Sequence, residues 1–214
     1  METIQLLAKL GEYQYMKRLI KYGELYLRPI SDFTKIENKG GIGDKYENMI
    51  SYCSPKDPTI TILSKNGEKI QLPPSARIVY GEHSDRNNLV YCMTMVDFNK
   101  DDTLTIKDSE NINKIGSNYD TMVLIYNQNK LFARIEDAAK KLSWEIEYKC
   151  VNYYPEKNII KKNLTAFDKR NSYSYQKEFR FCFSSYDDKP RTLTIGNIED
   201  IAVIIKAQPI KNND

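Results

Sequence analysis

Residues 165–183 read TAFDKRNSYSYQKEFRFCF, and the fold is decided by how their second half is read. In an extended chain, side chains alternate with period two. Tyr175, Lys177, Phe179, Phe181 and Phe183 then point one way, and Gln176, Glu178, Arg180 and Cys182 point the other. The spacing predicts a β-strand with an apolar face of three phenylalanines. Its opposite face carries an amide, a carboxylate and a guanidinium in a row. Such a row is either a solvated sheet surface, with Glu178 and Arg180 paired, or the floor of a functional site.

Working outward, other segments supply partners for that strand. Residues 121–126 (TMVLIY) form a short apolar run suited to a buried strand, and residues 201–206 (IAVIIK) read as a central one. Further strands are predicted at 25–28, 76–80, 89–96, 104–106, 147–154 and 192–195. The pair 59–63 and 69–72, joined through Asn66-Gly67, reads as a hairpin. Apolar residues at steps of three and four predict helices over 4–10 and 13–22, with Gly23 as the stop. A longer helix has Leu131, Ile135, Ala138, Ala139, Leu142 and Ile146 on one face. This order predicts an α+β fold, with mixed, largely antiparallel sheets and helices packed on them. The expected core includes Leu19, Leu25, Leu27, Val123, Ile125, Leu142, Phe179, Phe181, Val203 and Ile205.

Bulk properties narrow the function classes. The chain has 214 residues and no internal repeat or linker rich in Gly, Ser or Pro, so residues 1–214 are expected to form one α+β domain. With 32 basic and 29 acidic residues, the net charge of +3 lacks the basic excess of a dedicated nucleic-acid binder. No run approaches the roughly 20 apolar residues of a membrane helix, and no secretory leader opens the chain. A cytoplasmic protein with no membrane partner is therefore expected. The four cysteines, Cys53, Cys92, Cys150 and Cys182, are far apart and read as reduced core thiols; no metal site is expected.

Three local patterns bear on chemistry. The loop 37–47 (ENKGGIGDKYE) has three glycines but lacks the Gly-Lys-Ser/Thr end and the GxGxxG spacing of phosphate cradles. Its acids Glu37, Asp44 and Glu47 read as a solvated loop, with an acidic pocket rim or a hard-cation site as the alternative. His83, the one histidine, lies beside Ser84 and Asp85, but adjacent loop residues do not make a triad. Lys157, Lys161, Lys162, Lys169 and Arg170 are interleaved with tyrosines, a pattern that can hold phosphates and stack bases.

The stretch 21–33 (KYGELYLRPISDF), the acidic loop 43–47, Tyr91-Cys92-Met93-Thr94 and the late strand 167–180 together resemble a widespread, mostly uncharacterised bacterial and phage family. The layout is also similar to ADP-ribosyltransferase folds, which hold NAD between split sheets. That resemblance implies catalytic Glu178, stabilising the positive charge that develops as nicotinamide leaves, and Gln176, orienting the acceptor. It further implies Thr94 on the Ser/Thr strand, Tyr91 stacking on the nicotinamide, and Arg18, Arg28 and Arg180 as candidate NAD contacts. The sequence departs from the family in offering no Arg or His within residues 9–15. The expectation is an NAD-consuming, defence-associated enzyme. The alternatives are a non-catalytic module binding a host or phage protein, and a nucleic-acid binder using the basic cluster.

Overall fold

A computed structural model describes residues 3–35, 43–44, 46–47, 49–54, 61–71, 78–82, 88–99, 103–116, 119–157, 159–185 and 189–206. The chain begins β1 (Ile4–Gly11), α1 (Tyr13–Tyr22), β2 (Glu24–Pro29), α2 (Ile30–Lys35) and β3 (Met49–Ser54). It continues with β4 (Thr61–Leu63), β5 (Lys69–Gln71), β6 (Ile78–Glu82), β7 (Asn88–Phe98), α3 (Ile106–Gly116), β8 (Thr121–Ile125) and α4 (Gln128–Lys141). Then follow β9 (Glu145–Cys150), β10 (Asn152–Tyr154), β11 (Ile159–Lys162), β12 (Asp168–Arg170), a 3-10 helix (Asn171–Gln176), β13 (Glu178–Ser184), β14 (Arg191–Thr194) and β15 (Ala202–Lys206). The fold is α+β, as the element order predicts: a large antiparallel sheet with helices packed on it.

β7 is the axis of that sheet. On one side it pairs with β13 from Asn88↔Ser184 to Thr94↔Glu178, and β13 in turn pairs with β9. On the other side it takes two partners in succession. β2 meets it at Leu89 and Val90, and β1 meets it from Thr94 to Phe98. β14 extends β2, while β8 and then β15 extend β1. Between the contacts of β2 and β1, Tyr91, Cys92 and Met93 have no strand opposite them on that side. At the usual rise per residue the opening spans about 13 Å along β7.

The main core lies on one face of this sheet. Phe181 and Phe183 of β13 pack with Leu7, Tyr91, Met93 and Val123 beneath α1 (Met16, Leu19, Ile20) and α4 (Leu131, Ile135, Ala139). Phe132 lies parallel to Phe179 at 5.5 Å and edge-on to Phe181 at 5.6 Å. α1 stops at Gly23, which is left-handed (φ +63°) and donates its N–H to the Leu19 carbonyl. A side chain there would collide with the Gly196 carbonyl, so glycine is required on two counts.

Several expectations are corrected. Residues 4–10 form a strand, not a helix. β1 is covered on both faces, so Leu7 and Ala8 are both buried and the alternation that marks a half-exposed strand is lost. The excursion around Leu104 is a helix, α3, entered through Thr105 and Asp108. The Asp108 N–H donates to the Thr105 hydroxyl at 3.2 Å, and Leu104 makes only one bridge to Phe98. β15 is an edge strand, leaving Val203 and Ile205 exposed. Leu142 caps α4 and is also exposed, and Ile146 belongs to β9. Residues 147–154 divide between β9 and β10, which lie in different sheets. His83, Glu37, Gly40 and Gly41 lie outside the described residues. No described helix is long and apolar enough to cross a membrane.

Candidate functional site

The opening between β1 and β2 leads into a cavity of about 750 Å³, within the size range of small-molecule sites. Lys9 of β1, Arg28 of β2, Cys92 and Thr94 of β7, and Gln176 and Glu178 line it, with Tyr15, Arg18 and Tyr26 toward the outside. Six of the seven residues singled out from the sequence therefore share one cavity: Glu178, Gln176, Thr94, Tyr91, Arg18 and Arg28. Arg180 is the exception. It is fully buried behind Glu178 and does not reach the cavity wall.

Gln176 and Glu178 meet by a different route from the alternation expected. Gln176 ends the 3-10 helix, Lys177 turns left-handed (φ +41°), and only then does β13 begin. The join is secured from outside. The Lys177 ammonium donates to Asp97 at 2.6 Å and to Asp108 at 2.9 Å, and the Met95 N–H donates to the Lys177 carbonyl. Inside, the Lys169 ammonium bridges the two side chains, donating to Gln176 Oε1 at 2.8 Å and Glu178 Oε2 at 3.1 Å.

Glu178 is thus one corner of a buried ionic cluster. Arg180 donates to its Oε1 from Nη2 at 2.8 Å, to Glu47 Oε1 at 2.5 Å, and to the Ala166 carbonyl. Lys169 also lies 3.9 Å from Glu47. Next to this group Arg170 pairs with Asp44 at 2.6 Å and with Glu156 at 3.6 Å. Burial alone would raise the Glu178 carboxyl, but the charges of Arg180 and Lys169 outweigh it and hold the group well below the usual carboxylate range. Lys169 is shifted upward: Glu178 and Glu47 overcome the effect of its burial.

Two readings of the basic and acidic segments change here. Lys169 and Arg170 are buried and ion-paired, so they do not form a phosphate-holding surface. Lys157 remains exposed, and the side chains of Lys161 and Lys162 lie outside the described residues. Asp44 and Glu47 are likewise buried acids, not members of a solvated loop. The cations of β12 and β13 fold back onto them.

Lys9 escapes the reading from sequence alone, and Lys169, Glu47 and Cys92 are read there in other roles, as a basic cluster, an acidic loop and a core thiol. Lys9 sits within a segment taken as helix. It reaches the opening and donates to the Cys92 carbonyl at 2.6 Å, with its ammonium 4.6 Å from the Tyr91 ring. Burial pulls it below the ordinary lysine value, against the pull of Cys92 and Glu178. The Cys92 thiol is pushed up to about 12 by burial and by Glu178. It is therefore protonated at neutral pH and is no nucleophile.

The arrangement holds a carboxylate, ionised at neutral pH, at the floor of a cavity that opens between β1 and β2. A group titrating so far below neutrality is a poor proton shuttle, but it is a fixed negative charge suited to stabilising developing positive charge. No protein-family model, curated protein or solved structure matches the chain.

Proposed function

We propose that the chain is an NAD-consuming transferase of the ADP-ribosyltransferase type, with the cavity between β1 and β2 as its active site. One observation carries this reading: the sheet parts along β7, and the cavity at the parting is lined by the ionised Glu178 with Gln176 and Thr94 beside it, and by Tyr91 from the opposite face of the sheet. In the proposed reaction the bond between nicotinamide nitrogen and ribose carbon breaks, and nicotinamide leaves with the electron pair. The ribose becomes cationic, and the Glu178 charge stabilises it. An acceptor hydroxyl or water then attacks the same carbon and releases its proton to solvent. Glu178 needs no proton of its own, in keeping with its depressed titration. The cellular setting implied by the resemblance, bacterial or phage defence, goes with this reading.

The test is nicotinamide release from NAD by the wild type and by Glu178→Gln, with folding checked by circular dichroism. Loss of one stabiliser of transition-state charge is worth about 10²–10³ in rate. No release by the wild type overturns the reading, as does an unchanged rate in the folded variant. A second reading, a non-catalytic module for a host or phage protein, is favoured by one fact. Both Glu178 oxygens are already taken, by Lys169 and Arg180, as they would be in a purely structural cluster. Capture of a defined partner that depends on the exposed Tyr15 and Tyr26, with no turnover of NAD, would favour that reading.

A further inference from the structure

We propose that β15 is a homodimer interface: two copies of the chain join their outer β15 edges as antiparallel strands, about a two-fold axis at Ile204. The inference goes beyond the transferase reading, since no residue of β15 lines the cavity.

The margins of the main sheet differ in how they are guarded. An open strand edge is a template for another strand, and charge, proline or shortness ordinarily blocks it. β9 carries Glu145, Glu147 and Lys149 at exposed positions. β14 is four residues long, follows Pro190, and buries its one apolar residue, Leu193. β15 is guarded in neither way. It reads AVIIK, and no strand among the described residues pairs with its outer side. Val203 and Ile205 are 45% and 39% exposed, although they stand beside Leu124 and Met122, which are buried in the core on the α3 side.

Self-complementarity selects a second copy as the occupant. With Ile204 opposite its own copy, Val203 falls opposite Ile205 of the second copy, and Ala202 opposite its Lys206. All five residues of each strand then pair. The next registers that keep both faces, centred on Val203 or Ile205, pair three residues of each strand instead of five. Val203 and Ile205 of both copies close into one apolar cluster on the α3 side. The other face carries Ala202, Ile204 and Lys206, with the Lys206 ammonium 4.3 Å from the Tyr13 ring. There Asp200 lies one diagonal step from Lys206 of the second copy, a span that long side chains bridge. Asp200 accepts from Arg134 at 2.8 Å yet keeps 48% of its side chain open, which leaves room for a second cation. The two-fold axis makes this contact twice, as in any isologous pair. A ribbon of this length is a small interface, so the dissociation constant is expected on the order of 10–100 μM.

The experiment is sedimentation equilibrium of the full chain from about 5 to 500 μM, a span that brackets that value. We expect the mass to rise from one chain to two. Val203→Lys sets a charge in the apolar cluster and should leave a monomer throughout, with an unchanged circular dichroism spectrum because Val203 is exposed in the single chain. Lys206→Glu should weaken the dimer about tenfold, two surface pairs being reversed. In a Cys150→Ser background, Ile204→Cys should form a disulfide-linked dimer on mild oxidation, since the two copies of that residue meet at the axis. A wild type that stays monomeric overturns the proposal, whether or not another protein captures the edge. So does mass growing past two chains, a dimer indifferent to Val203→Lys or Lys206→Glu, or a folded Ile204→Cys variant that fails to cross-link. A monomer that turns over NAD rejects this inference alone; a dimer that does not turn it over rejects the transferase reading alone.

Discussion

β13 has two buried faces built from opposite materials. On one, Phe181 and Phe183 pack with Tyr91 and the residues of α1 and α4. On the other, Glu178 and Arg180 join Lys169 and Glu47 in a cluster equally withdrawn from water. The apolar face is stabilised by area removed from water and tolerates any side chain of suitable shape. The ionic face has to recover a large desolvation cost through pairing, so it depends on each member being present. The same strand therefore combines a forgiving surface with an unforgiving one, and the cavity adjoins the unforgiving one.

The largest effect should come from breaking the ionic face at one point. Arg180→Leu leaves Glu47 and Glu178 with Lys169 as the one shared cation and should cost roughly 3–5 kcal/mol in urea unfolding. Replacing Arg180 and Glu178 together by leucine and methionine should cost less than Arg180→Leu alone, a non-additivity expected of coupled charges. A simple sum of the two single effects would sink the contrast. On the apolar face, Phe181→Ala should also cost roughly 3–5 kcal/mol through the cavity it leaves. The shape-tolerant Phe181→Leu should recover most of that loss, whereas no single replacement of Arg180 should do so.

Acid separates the faces by sign. The Glu178 carboxyl titrates below its unfolded value of 4.5, so its contribution is complete above that pH and is lost as pH falls toward the folded value. Melting temperature should therefore drop below about pH 4.5 in the wild type and in Phe181→Leu, and drop less steeply in Glu178→Gln. Parallel curves for all three would remove Glu178 from the acid response. A smaller effect is expected at the bend between the Gln176 and Glu178 positions. Lys177→Gly relieves a left-handed backbone but forfeits the Asp97 and Asp108 contacts, for a net loss of roughly 1–2 kcal/mol. The smallest belongs to the exposed pair of Arg18 and Glu24 at the cavity mouth: Arg18→Ala should leave the unfolding midpoint unchanged.

The two faces were not equally legible in the sequence. Alternating phenylalanines announce an apolar strand face, and Leu25, Leu27, Val123 and Ile125 are buried as their patterns require. The ionic face is written in residues that ordinarily face water. Glu47 and Lys169 are 122 positions apart in number, and nothing local says that they will meet. Hence Glu178 stands out in the sequence while its partners Lys169 and Glu47 read as surface. Arg180 reads as a ligand contact, although together with Lys169 it fixes Glu178. β1 misled for a related reason. A strand covered on both sides carries no period-two signal, and Ile4, Leu7 and Ala8 happen to satisfy helical spacing. The entry to α3 is missed by the strand reading of 104–106, although Thr105 followed three residues later by Asp108 is a capping pattern at a helix start.

The pairing of β2 with β14 has a consequence for synthesis. β2 is made early, yet one of its neighbours is β14, which begins at Arg191. The acids Asp44 and Glu47 likewise leave the ribosome long before Lys169, Arg170 and Arg180. Until those late residues emerge, the nascent chain lacks both a side of its first strands and the counter-charges for its buried acids. Chains arrested before β12 should accordingly remain open to proteases, and the protein should mature after translation of β14 rather than progressively from its first residues.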